Sequence, residues 1–428
     1  MIKIFKSDEI QTFLNHLTTR ASDSSDEVRQ TVTKILKNVR TAGDRALVEY
    51  TKQLDGVDLS GSGFSIPMSE MADATSSITP GMAEIIEQAS ANIRAFHKKG
   101  LQKSWLSWED DGVVLGQRVT PLERVGLYIP GGRAAYPSSL LMTAIPAQVA
   151  GVSELVVVTP PDKSGKVHPS ILAVVAGLGI GEVYKIGGAQ AIAAMAYGTK
   201  SIRKVDKIVG PGNMYVAEAK RQVFGVVDID MVAGPSEVVV LADASANPAY
   251  IAADLLAQAE HDPAASSICV TVNADLAEQV KIEVEKQAGQ LKRQSIIAES
   301  LKNWSGILLV KDMDTAVSLV NLLAPEHLGL LVKEPWETVK AVKHAGAIFL
   351  GHHTPETVGD YWAGPNHVLP TNQTARFASP LGTHDFLKFS SLIEYPKGAL
   401  AESADAIMKL AELEGLDAHA NAVRQRLS

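Results

Sequence analysis

The chain has 428 residues, enough for two or three domains with substantial cores, and its hydrophobic content of 46% is ordinary for a globular protein. Acidic residues outnumber basic ones 48 to 40, which argues against a broad surface for nucleic acid or anionic membrane. A single cysteine, Cys269, excludes an internal disulfide and fits a reducing cytoplasm. The start, MIKIFKSDEIQTF, lacks an apolar signal core, and the longest mostly apolar run, 171–180, is too short to span a bilayer.

Residues 22–54 are expected to form two helices. Val28, Val32, Ile35, Leu36 and Val39 fall on one face, and Gly43-Asp44 offers a stop and then a fresh N-cap. Ser22 to Asp26 reads as a polar, cap-rich entry, and 56–78 is rich in turn formers. A third helix starts at Thr79-Pro80 and carries Met82, Ile85, Ile86, Ala89, Ile93 and Phe96 until Gly100 ends it. In WLSWEDDGVVLGQRV, Asp111-Gly112 suits a hairpin turn between two strands.

From about residue 124 short apolar runs alternate with helical patterns. The strand candidates are Val125–Ile129, Leu155–Thr159, Glu182–Ile186, Lys207–Val209, Glu237–Leu241, Ile268–Val272, Gly306–Val310, Leu328–Val332 and Ala347–Leu350. Helical segments such as Pro169–Ala176, Asn213–Val223 and Tyr250–Ala259 separate most of them. This is the grammar of an α/β fold with mostly parallel, doubly covered sheets. So many strands exceed one compact open sheet, so a division near 236–240 into two units is expected. The tail from about 400 reads as two helices hinged at Gly415, and no internal sequence repeat stands out.

Ligands of α/β sheets gather beyond the carboxyl ends of strands, and glycine clusters are expected there: YIPGGR (128–133), IGGAQ (186–190), IVGPGN (208–213) and VAGPSE (232–237). Any one of them could be a tight turn; together they favour a ligand mouth. None matches G-x-G-x-x-G or the P-loop, so the case for a nucleotide is weak at this point.

The run Gly351 to Arg376 has no helical or strand periodicity, yet Tyr361, Trp362, Val368 and Leu369 give it apolar mass worth burying. It also holds Asp360, His367 and the pair His352–His353, which marks it as part of a site. Gln258 and His261 share one face at the end of a helical pattern, where two side chains can meet one ion; a solvated helix end is an equal reading. Asp360 and His419 could complete an N/O site suited to zinc or manganese, although an amide is an unusual zinc ligand and periodicity does not show that these residues converge. Glu326-His327 stands at the entrance to the apolar run LGLLV, where His can take a proton and Glu can activate water; an ordinary loop pair is the blander alternative. Adjacent His352 and His353 are expected to diverge, His344 to be a solvated helix end, and Cys269 to be a buried strand residue. His384 is given no role.

The motifs GLYIPGGRAAYPSS, GGAQAIAA, VGPGN, AGPSE, QAEHDP, PEHL, VGDYWAGPNHVLPT and EGLDAH occur in this order. Together they resemble the histidinol dehydrogenase family over nearly the whole chain, least over 1–80. The resemblance implies two incomplete Rossmann-like doubly wound domains with small helical terminal segments. Its domain plan would be an N-terminal helical segment (1–21), a larger α/β domain in two parts (22–125 and 237–380), an NAD-side domain (126–236) and a tail (381–428) exchanged with the partner in a homodimer. It implies oxidation of L-histidinol through L-histidinal to L-histidine by two NAD in succession, with zinc bound. Gln258, His261, Asp360 and His419 would be the zinc ligands, and Glu326 and His327 the acid–base pair. Ser236, His367 and Glu414 would contact substrate alongside the ligands and His327, and Tyr128, Gln190 and Asn213 would line the NAD site.

Asn372-Gln373 and the bulky Trp362 depart from the family pattern near the site loop, where they bear on substrate fit. Two other readings stay open. One is a relative using the same zinc and NAD on another small alcohol, such as a sulfonated diol; Glu414 speaks against it, because a carboxylate suits a cationic substrate. The other is a zinc hydrolase with Glu326 as base, which would need no nucleotide.

Overall fold

The computed structural model describes residues 2–20, 26–131 and 136–428, so the polar entry at 22–25 and Gly132-Arg133 of the first glycine cluster lie outside it. The chain opens with β1 (Lys3–Phe5) and α1 (Ser7–Arg20). α2 (Asp26–Ala42) and α3 (Asp44–Leu54) are divided at Gly43, whose φ of 55° suits glycine. Gly43 is itself the cap; Asp44 lies within α3, and its carboxylate accepts from the Ser201 hydroxyl at 2.7 Å instead. α4 (Met68–Ala74) is followed by α5 (Pro80–Lys99), where the Thr79 hydroxyl accepts from Met82 N. Of the expected apolar face of α5 only Ala89 and Ile93 are buried, while Met82, Ile85 and Phe96 are exposed. β2 (Trp105–Trp108) and β3 (Val114–Pro121) form the hairpin, turning at Gly112 with φ 81°.

A five-stranded parallel sheet follows, built from β4 (Arg124–Tyr128), β5 (Glu154–Val158), β6 (Glu182–Tyr184), β7 (Lys207–Val209) and β8 (Asp228–Ile229) in the order β6-β5-β4-β7-β8. Its crossovers carry α6 (Pro137–Ala150), α7 (Pro169–Gly177), α8 (Gly188–Tyr197) and α9 (Met214–Val223). Successive strand residues face opposite layers. Val156 and Val158 pack with α2, α3 and α8, whereas Val125, Leu127 and Val157 pack with α5, α6 and α7. The strand order is the doubly wound 3-2-1-4-5 of a Rossmann-like unit short of its last strand.

The second sheet contains β9 (Glu237–Ala242), β10 (Ser266–Thr271), β11 (Gly306–Leu309), β12 (His327–Leu331) and β13 (Ala347–Leu350). Its order, β1-β11-β10-β9-β12-β13, repeats the first with the N-terminal strand added at one edge, and all pairs are parallel. One face packs on α10 (Pro248–Ala259), α11 (Ala274–Ala288) and α12 (Gln294–Asn303), the other on α1 and α13 (Met313–Leu323). Cys269 is buried in β10, and burial lifts its thiol to about 12. After α14 (Pro335–Thr338), the run 351–376 proves less irregular than its sequence suggests, since it holds α15 (Glu356–Tyr361). Val368 and Leu369 are buried as expected, but Tyr361 and Trp362 are exposed.

Helices α2 to α5, expected with the larger unit, pack instead on the five-stranded sheet, because their apolar faces meet β4 to β7 and α6 to α9. The tail is not wholly helical either. β14 (Leu387–Glu394) runs antiparallel to β3 from Leu387 opposite Pro121 to Glu394 opposite Val114, and only then do α16 (Lys397–Leu413) and α17 (Asp417–Leu427) follow, hinged at Gly415 with φ 72°. Among the described residues, no helix is long and apolar enough to cross a membrane.

Candidate active site

In a sheet of this order, ligands bind where the winding reverses, here between the carboxyl ends of β4 and β7. Tyr128 ends β4, and its hydroxyl accepts from Gly188 N at 3.1 Å. Gly210 follows β7 with φ 116°, and a Cβ there would lie 2.1 Å from the Tyr128 carbonyl oxygen, so only glycine lets the two strand ends close up. Asp230 accepts from Gly210 N at 2.8 Å, and Lys220 donates to Gly210 O at 2.9 Å; these two side chains also pair with each other and are almost wholly buried. Asn213 caps α9, its Oδ1 accepting from Tyr215 N and Val216 N, and is otherwise exposed. Gln190 is buried in the first turn of α8, with no partner for Oε1 among the described residues. Tyr128, Gln190 and Asn213, expected to line a nucleotide, all lie at or just past the carboxyl ends of strands of this sheet.

The catalytic candidates lie elsewhere: at the amino edge of the six-stranded sheet, where β9 and β12 begin. The VAGPSE cluster lies beyond the carboxyl end of β8, as expected of a strand end, and also leads into β9. The opposite end of this strand pair is tied by Lys333 N donating to Asp243 Oδ2 at 2.9 Å. His327 opens β12 beside Glu326; Glu326 Oε2 accepts from Glu237 N at 2.9 Å, and His327 Nδ1 lies 3.2 Å from Glu237 O. A carbonyl can only accept, so Nδ1 carries the proton and Nε2 keeps its lone pair. Among the described residues that Nε2 has no hydrogen-bond partner; it is buried 3.9 Å from Asp360 Oδ1.

Gln258, in the last turn of α10, has both side-chain amide atoms buried and unpartnered among the described residues, an arrangement that costs about 1–3 kcal/mol per group unless a ligand answers it. His261 lies just beyond; its residue surface is exposed, yet desolvation holds its pKa below the usual imidazole value, and a proton on it would lower those of His327 and His367. His367 Nδ1 lies 3.1 Å from Asp360 O, and its Nε2 lies 3.4 Å from the Ser139 hydroxyl in the first turn of α6. Through that contact the carboxyl edge of one sheet adjoins the amino edge of the other. Ser236 sits at the head of β9, its carbonyl accepting from Ser266 N at 3.0 Å.

Burial sets the charges. It lowers His327 and His367 to about 4, so both are neutral near pH 7, and His327 is a weaker base than a free imidazole. It raises Asp360 to about 6 and pushes Glu326 well above the usual carboxylate range. Two further acids escaped the sequence reading. Burial raises Asp254 to about 7 and lifts Glu356 strongly, with Asp360, Asp254 and Glu326 adding to the latter. The signal was present: Asp254 precedes Gln258, and Glu356 precedes Asp360, by one helical turn each.

Among the described residues, no group of three His, Cys, Asp or Glu side chains is placed to hold a metal. Glu414 and His419 are not joined to this cluster; both are exposed on the α16–α17 hairpin. His352 Nε2 lies 3.3 Å from the Ser245 hydroxyl, His353 leans on the Tyr250 ring, and His344 N donates to Asn321. These three histidines stay outside the cluster.

Two doubly wound parallel sheets with an unpartnered imidazole and a buried carboxyl at a strand entrance define an α/β protein with a candidate acid–base site. The histidinol dehydrogenase family model matches residues 18–427, and the chain belongs to that family. It is an oxidoreductase of histidine biosynthesis. It is 53% identical to the histidinol dehydrogenase of Halalkalibacterium halodurans, over 95% of this chain and 96% of that one. It is 51% identical to that of Bacillus subtilis, over 94% of each. The crystal structure of histidinol dehydrogenase from Elizabethkingia anophelis is similar with a TM-score of 0.94 at 36% identity, covering 100% of this chain and 98% of that one.

Proposed function

We propose that the protein oxidises L-histidinol through L-histidinal to L-histidine, using NAD as hydride acceptor and a bound zinc ion. The observation that carries this reading is the buried Nε2 of His327, which faces Asp360 without a hydrogen-bond partner among the described residues; the buried Gln258 amide likewise lacks one. Gln258, His261 and Asp360 would hold the metal, with His419 from a second copy of the chain completing the set. The unanswered Gln258 amide and the Asp360 carboxylate are oxygen donors of a kind that fits a borderline cation. A zinc ion there would supply a fixed positive charge that orients the substrate's imidazole and amino nitrogens. NAD lying along Tyr128, Gln190 and Asn213 would take up hydride in each oxidation.

This chain's own groups move the protons. His327 Nε2 takes the hydroxyl proton as hydride leaves the carbinol carbon; Glu237 O holds Nδ1–H, and the Asp360 carboxylate steadies the resulting imidazolium. Glu326 then takes a proton from the water that hydrates the aldehyde. A carboxyl that holds its proton more tightly than usual is a stronger base once ionised, which suits that step. Ser236, His367 and Glu414 would contact substrate. A carboxylate at Glu414 favours a cationic amino alcohol over a sulfonated diol.

The assembly is read as a homodimer exchanging its tails. In support, the α16–α17 hairpin leaves Leu410, Leu413 and Leu416 exposed next to Glu414. Residues 126–236 would be the NAD side, and the unit containing 237–380 the metal and proton side. NADH release on adding L-histidinol to the zinc-loaded protein tests the proposal. No turnover with L-histidinol, together with turnover of another small alcohol, would overturn the substrate assignment.

A further inference from the structure

The acid–base pair is held by a third residue, and that residue is held from the other end of the chain. Glu237 gives its N–H to Glu326 Oε2 at 2.9 Å and its carbonyl to His327 Nδ1 at 3.2 Å, so one peptide segment fixes both groups. Its side chain is anchored in turn: Oε1 accepts from Asn372 N at 3.0 Å, and Oε2 pairs with the Arg20 guanidinium. Arg20 is the last residue of α1 and its side chain is almost wholly buried; it also donates to Ser236 O at 3.3 Å and Ala264 O at 3.2 Å. The guanidinium thus grips the Ser236–Glu237 segment by its main chain and by its carboxylate. On the far side stand Asn372 and Gln373, both left-handed at φ 52° and 64° although neither is glycine, and a Cβ on Gly234 would meet the Asn372 amide at 1.8 Å.

We propose that Arg20 and Glu237 are positioning residues for the oxidations: Arg20 clamps the head of β9, and Glu237 passes that clamp to Glu326 and His327. Neither touches the reacting atoms. A buried ion pair is poor evidence for stability by itself, since apolar replacements of equal volume are often neutral. What this pair supplies is a fixed main-chain donor and acceptor, so that His327 presents the lone pair on Nε2 and Glu326 stays within reach of the same substrate carbon. Misplacing such groups by an ångström lowers turnover by about 10²-fold.

The inference rests on the acid–base assignment above, so His327→Ala is measured alongside. Arg20→Ala is expected to lower kcat by about 10²-fold while leaving zinc content unchanged and KM for L-histidinol and NAD within about threefold. Its side chain borders a cavity of about 50 Å³ lined also by Glu237, Pro325 and Asn372, so guanidinium ion added at millimolar concentration should restore part of the lost kcat. Should Arg20→Ala fail to fold, the double variant Arg20→Leu/Glu237→Leu removes both charges together, and the same loss of kcat at intact zinc content is expected. A kcat within twofold of the parent in the folded variant, or equal losses of kcat, zinc and cofactor binding, would overturn the positioning role. An active His327→Ala enzyme would instead overturn the acid–base assignment beneath it.

Discussion

Nε2 of His327 lies 3.9 Å from Oδ1 of Asp360, and among the described residues no group gives it a hydrogen bond. Asp360 therefore faces the proton acceptor as well as the candidate metal set. Asp360→Ala or His261→Ala should lose zinc and turnover together, by metal analysis and NADH formation on the same sample. Full zinc occupancy in either variant would contradict the ligand assignment.

Glu326→Gln keeps the shape of the site but cannot take a proton from water. The first oxidation should survive and the second should fall by about 10²–10⁴-fold in single-turnover measurements started from L-histidinol and from L-histidinal. Equal losses in both would remove the division of labour between Glu326 and His327.

Lys220 and Asp230 are buried together and hold the two ends of the Gly210 peptide. Lys220→Ala strands a buried carboxylate and should lose about 3–5 kcal/mol of stability in urea unfolding. Lys220→Met/Asp230→Leu should recover most of that stability while KM for NAD stays raised, because the Gly210 turn is no longer pinned. A double variant with unchanged KM for NAD would show that the pair serves stability alone.

Mixing inactive His327→Ala chains with inactive His419→Ala chains should restore activity if each site borrows a tail. The expected recovery in a statistical mixture is about a quarter of the parental rate, from dimers in which one site is whole. Verified mixed dimers without activity would argue that the tail serves its own chain.

His97 gives a pH signature away from the site. It is buried in α5, and burial, aided by His384, lowers it to about 4 from 6.5. The unfolded chain thus takes the proton first as pH falls. The stabilising contribution is complete above about pH 6.5 and is lost as pH drops towards 4. His97→Gln should flatten the pH dependence of the urea midpoint across that window; an identical slope in parent and variant would refute the assignment.

The interior strands were legible because a strand covered on both faces reads as an unbroken apolar run. Lys207–Val209, between two neighbours and wholly buried, matches to the residue; Ala347–Leu350 also matches, although it is an edge strand and only Phe349 in it is buried. β1 and β8 are too short to leave such a run, and β14 is mostly exposed, with a pairing partner some 270 positions back in the sequence, so local pattern says little about it. Of the site, Glu326-His327 stood out because it sits against a strand entrance. The Arg20–Glu237 pair did not, since its members are 217 residues apart. Nor could the single glycine of VAGPSE reveal that this segment leads into β9, because a glycine turn looks alike at either end of a strand. The placement of α2 to α5 was missed for a related reason: periodicity gives a helix its apolar face but not which sheet covers it.

The ladder between β14 and β3 makes the terminal arm a ruler. Each residue inserted between Leu387 and Glu394 would advance whatever follows by about 3.4 Å and turn it to the opposite face. Substitutions along the arm's outer surface are therefore cheap, whereas a single insertion or deletion would carry Glu414 and His419 out of reach of any fixed target. The length of this segment should tolerate less variation than its composition.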